Sequence, residues 1–111
     1  MMQKYDLAGA MRDILIECKE DQVGLWSVVR YVKETGVVDN GEVAETTLHL
    51  LNELLSAGRI VAGEFRYEDD EFHRWEMNPQ DIVAKIEDEW KKLGRDPTIG
   101  EIVWFVAPEL I

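Results

Sequence analysis

The side chains best suited to nucleophilic attack, soft-metal binding or neutral-pH proton transfer are few in this 111-residue chain. There is one cysteine, Cys18, and there are two histidines, His49 and His73, with Ser27 and Ser56 the only serines. Cys18 lies on the apolar stripe of a helical segment with only Lys19 beside it, so a buried, inert thiol is expected rather than a nucleophile. A zinc site would need both histidines plus carboxylates or Cys18 from three separate elements, and no pair has a local spacing such as His-x-x-x-His. Neither serine sits in a nucleophile elbow. The glycines are scattered as helix stops and turns, and no phosphate-cradling loop is present. Glu68-Asp69-Asp70-Glu71 lacks the alternating ligands and the glycine of a calcium loop. Carboxylate pairs abound, but on so acidic a chain their abundance carries no information about acid–base work. No metal, no cofactor and no catalytic residue are expected.

Composition narrows the classes further. Twenty-three acids against twelve bases leave a formal charge of −11, yet 46% of residues are apolar and four are tryptophan. That balance indicates a folded chain rather than an acidic disordered tail. It disfavours nucleic acid as a partner, because the net negative charge repels phosphate along the whole approach path. One cysteine excludes a disulfide framework. No apolar run approaches the roughly 18 residues of a membrane span, and the opening Met1-Met-Gln-Lys-Tyr-Asp6 lacks the apolar core of a signal peptide. A single cytoplasmic domain over residues 1–111 is expected, without membrane attachment.

Five elements must position these side chains. Leu7, Met11, Ile14, Leu15 and Cys18 form one stripe and predict a helix over 4–19. Leu25, Trp26, Val29 and Val32 predict a second over 23–33, ended by Gly36 and the turn pair Asn40-Gly41. The third, 42–57, carries Val43, Thr47, Leu48, Leu50, Leu51, Leu54 and Leu55. Its apolar surface is broad enough to be covered on more than one side, and Gly58 stops it. Residues 59–67 and 73–77 read as a hairpin with loop 68–72, which would place Phe65 opposite Trp75. Asn78 and Pro79 start a helix over 79–93, closed by Lys91, Lys92 and Gly94. The tail is ambiguous: Thr98 and Glu101 have capping-box spacing, whereas Ile102-Val-Trp-Phe-Val106 is a run of strand formers, and an extended arm is preferred.

Helix, helix, hairpin in this order, with Leu48-His-Leu-Leu-Asn-Glu-Leu-Leu-Ser-Ala-Gly58 followed directly by Arg59-Ile-Val-Ala-Gly63 and an acidic turn before Phe72, resembles the winged-helix variant of the helix-turn-helix class. The tail, Gly94-Arg-Asp-Pro97 with Ile99-Gly-Glu-Ile-Val-Trp-Phe105, resembles that of small uncharacterised bacterial proteins. The fold expected is therefore helix-dominated α+β: a winged-helix-like three-helix core with a β-hairpin wing and extra terminal elements. The resemblance implies a third helix in the DNA major groove and a wing on the backbone. This chain departs from that pattern at both contacts. The exposed face of the third helix would present Glu42, Glu45, Thr46, His49, Asn52 and Glu53, and no lysine or arginine occurs from Glu34 to Gly58. Four consecutive acids occupy the wing tip.

The function that follows is a non-enzymatic protein-interaction module. Glu42, Glu45, His49 and Asn52, with Glu68, Asp69, Asp70 and Glu71, would meet a basic protein partner. An inhibitor or antitoxin-like protein that mimics nucleic-acid charge is one version. The alternative is a transcription regulator binding DNA as a dimer through Arg30, Lys33, Arg59, Arg66 and Arg74. Trp26 and Trp75 are expected in the core. Trp104 and Phe105 either staple the tail to Trp90 on the fourth helix or form an exposed patch for a homodimer.

Overall fold

Capping side chains and apolar stripes set the helices of the computed structural model, which describes residues 6–66, 68 and 70–111. Asp6 accepts the Gly9 N–H and starts α1 (Leu7–Glu20), which buries Ala10, Ile14 and Cys18. Residues 4 and 5 of the expected first helix lie outside the described residues. The expected second helix is divided: Val23–Gly24 is a short strand, β1, and α2 runs Leu25–Glu34. Val23 pairs with Phe105, so a backbone ladder rather than a helical turn satisfies its peptide groups. Asp39 accepts the Glu42 N–H, and α3 (Asn40–Ser56) therefore begins two residues early, absorbing Asn40 and Gly41 into its first turn. Gly58 and Gly94 both take the left-handed conformation expected of helix stops. The strands β2 (Val61–Phe65) and β3 (Phe72–Arg74) follow. Asn78 caps α4 (Pro79–Leu93) through the Asp81 N–H, and β4 (Trp104–Val106) and a short 3-10 turn at 108–110 close the chain.

Among the described residues the molecule is α+β, with four helices and one four-stranded antiparallel sheet in the order β1-β4-β2-β3. Helices account for 57% of those residues. The hairpin register differs from expectation. Phe65 stands opposite Phe72, Glu64 opposite His73 and Gly63 opposite Arg74, while Trp75 lies past the end of β3. The connection begins at Arg66, whose carbonyl accepts the Asp70 N–H at 3.0 Å, and this moves the turn toward the N-terminus. The aromatic pairing survives with different members: Phe65 meets Phe72 and Trp104 edge-on, at centroid distances of 5.6 and 5.8 Å.

The tail is a strand, as preferred, and it lies inside the sheet. Trp104 is in register with Gly24 on one side and Gly63 on the other; Phe105 faces Val23 and Ala62. Phe105 is completely buried. Thr98 and Glu101 make the contacts of a capping pair without a helix following. The Glu101 carboxylate accepts the Thr98 N–H and hydroxyl at 2.6 and 2.9 Å, and Arg95 at 2.8 and 2.9 Å through both carboxylate oxygens. One apolar cluster runs from Ala10 on α1 to Ala107 after β4, and α3 packs against α1, α2 and α4. Its broad leucine face is thereby covered on several sides. Trp75 and Trp90 are buried; Trp26 is only half-buried, under the Arg30 guanidinium 5.2 Å from its ring centre.

Candidate functional site: an acidic-walled groove between α3 and α4

The exposed side of α3 forms one wall of an open groove of about 1020 Å³, and α4 forms the other. The α3 wall is built at helical spacing from Gly41, Ala44, Glu45, Leu48, His49 and Asn52. The α4 wall comes from Val83, Glu87, Trp90 and Lys91, with Gly94, Arg95 and Asp96 at its end. Positions three and four apart share a helix face, so each wall extends along twelve residues, Gly41 to Asn52 and Val83 to the Gly94 cap, eleven steps or about 17 Å at roughly 1.5 Å per residue. The floor is apolar. Ala44, Leu48 and Val83 are half-buried and Trp90 is 8% exposed.

The rim is charged, and its cations are already engaged. Lys91 Nζ lies 3.6 Å from Glu87, Arg95 is held bidentately by Glu101, and Asp96 pairs with Lys33 of α2. On α3, His49 Nε2 lies 3.3 Å from Glu53. Glu42 and Glu45 are exposed in the first turns of α3, where the helix dipole favours negative charge. The bond from Arg95 holds the Glu101 carboxyl down at about 2, helped by both Thr98 donors.

Of the expected partner-binding residues, Glu45, His49 and Asn52 line this groove and Glu42 stands on the same helix one turn away. Glu68, Asp70 and Glu71 are exposed in the β2–β3 connection; Asp69 and Tyr67 lie outside the described residues. No described hairpin residue lines the groove, so the acidic tip and the α3 wall are two separate features. Sequence reasoning missed the α4 wall. On the amphipathic α4, Val83 and Trp90 read as core, and both do join it, Trp90 buried and Val83 packed half-buried against the cluster. What the sequence does not show is that their outer edges also line the groove.

The expected exposed patch of Trp104 and Phe105 is overturned. Phe105 has no exposed surface in the central strand β4, and Trp104 is half-buried against Phe65. Pairing with β1 and β2 takes up the tail. Cys18 is wholly buried, and burial with the neighbouring Glu17 charge pushes its thiol up to about 12. His73 lies in β3, half-buried, next to the buried Trp75. Among the described residues no group of three or more His, Cys, Asp or Glu side chains is placed to hold a metal ion. No described helix is long and apolar enough to cross a membrane. A smaller hollow of about 640 Å³ lies between the hairpin, the start of α4 and the C-terminus, with Arg74 among its lining residues.

Compared with known protein families, characterised proteins and solved structures, the chain gives no match.

Proposed function

We propose that this protein is a non-enzymatic interaction module whose acidic α3 face and the groove beside it engage a basic protein. One observation carries the reading: Glu45, His49 and Asn52, on a helix with no lysine or arginine, rim a groove with an apolar floor. Charge at the rim steers the encounter and apolar anchors in the floor hold it. An inhibitor or antitoxin-like role, in which the acidic surface stands in for nucleic acid, belongs to the same reading. The acidic hairpin tip is a second contact for the same partner. Within this reading α1–α3 and the β2–β3 hairpin form a winged-helix-like core, a view supported by their order and by the packing of α3 on its neighbours.

The competing reading, a dimeric DNA-binding regulator, draws on Arg30, Lys33, Arg59, Arg66 and Arg74. Two of these are occupied: Lys33 pairs with Asp96 and Arg30 lies over Trp26. The full chain, immobilised beside a Glu42→Gln/Glu45→Gln/Glu53→Gln variant, separates the two. The wild type should retain a basic protein that the variant loses and that about 0.5 M salt releases, because the screening length then falls to about 4 Å. Salt-sensitive gel shift of duplex DNA, abolished by Arg66→Ala/Arg74→Ala, would overturn the proposal.

A further inference from the structure

We infer that the occupant of the α3–α4 groove is a basic amphipathic helix of about three turns supplied by the partner. This rests on the interaction reading above and adds to it the form of what is bound. Both walls are helices, and each contributes a face twelve residues long, eleven steps, so the trough is about 17 Å in length. A third helix laid between two packed ones contacts both through ridges and grooves at axis separations of 8–10 Å. Such a helix places residues i, i+4 and i+7 along one line. That line matches a floor made of Ala44, Leu48, Val83 and Trp90.

Charge selects the kind of helix. Its α3 flank would pass Glu45, with Glu42 nearby on the same helix. On the α4 rim Lys91 and Glu87 pair with each other, and Arg95 is held by Glu101. Lysines or arginines on the α3 side of the occupant's apolar line meet Glu42 and Glu45. A second copy of this chain is disfavoured, because two bodies each carrying −11 repel one another.

The test uses two synthetic probes of fourteen residues with the same composition of leucine and lysine. In one the leucines share a helical face; in the other they are scrambled around it. The isotope-labelled full chain is titrated with each at about 50 mM salt and followed by amide and indole NMR. The patterned probe should bind at least tenfold more tightly than the scrambled one, with shifts concentrated at 41–52, at 83–95 and at the Trp90 indole. Ala44→Trp fills the floor without changing charge or removing core atoms. It should weaken the patterned probe at least tenfold and leave the scrambled one unchanged. Equal affinity for both probes, or undiminished binding by Ala44→Trp, overturns the helix seat and leaves the acidic-face reading standing. Failure of both probes to bind overturns the two readings together.

Discussion

Thr47 is wholly buried in α3, and its hydroxyl has no hydrogen-bond partner among the described residues. A buried unpaired hydroxyl costs about 1–3 kcal/mol, whereas an apolar side chain of the same shape costs little. Thr47→Val should therefore raise the unfolding free energy by about 1 kcal/mol in urea titration, and a loss would show that the hydroxyl is satisfied. Glu101 illustrates the opposite case. Its carboxyl, held at about 2 against an ordinary 4.5, is bound by Arg95 and Thr98. A lowered folded-state value means that the clamp is fully present above about pH 4.5 and is lost as pH falls through about 2. The turn leading into β4 should loosen across that window. Arg95→Ala should move the Glu101 carboxyl titration upward in carbon-detected NMR, and an unmoved midpoint would exclude the guanidinium as its cause. Cys18, with its thiol pushed up to about 12, should react with a thiol reagent only on unfolding. That burial was legible in the stripe it shares with Ile14; the clamp was half legible, since Thr98 and Glu101 have the right spacing but Arg95 was not connected to them.

Elements explain what could and could not be read in advance. The helices announce themselves through local chemistry: the Asn78 cap with Asp81 in the first turn, glycine stops, and apolar residues at three- and four-residue steps. The sheet does not, because its pairings join residues far apart. Val23-Gly24 is too short to show alternation and reads as the start of α2. The run at 102–106 was legible as strand, but its seat between β1 and β2 depends on Gly24 and Gly63 flanking Trp104. A Cβ added at Gly63 would lie 2.5 Å from the His73 carbonyl oxygen and 2.5 Å from the Phe72 ring. Backbone cannot yield there as a flexible side chain can, so Gly63→Ala should cost roughly 1–3 kcal/mol. Phe105→Ala, in the strand that joins both sides of the sheet, should cost roughly 3–5 kcal/mol. Both are measured by urea unfolding, and a Phe105→Ala loss below about 1 kcal/mol would contradict its central placement. The Ala107 N–H donates to the Cys18 carbonyl at 3.0 Å, so the end of β4 also fastens α1.

At the scale of the molecule, charge and shape combine at the groove. The α3 wall was legible because helical period and charge coincide: Glu45, His49 and Asn52 recur on a face without bases. The α4 wall was not, since Val83 and the buried Trp90 belong to the core stripe, and only the placement of α4 beside α3 shows that their edges also line the groove. Binding of the leucine–lysine patterned probe as a function of salt tests the central claim most directly, with the wild type compared with Glu42→Gln/Glu45→Gln. From about 0.05 to 0.5 M salt the wild-type affinity should fall steeply as screening shortens. The variant should start weaker and fall less. Equal slopes for the two chains, or an affinity that does not respond to salt, would contradict the assignment of the α3 carboxylates as the surface that draws in a basic partner.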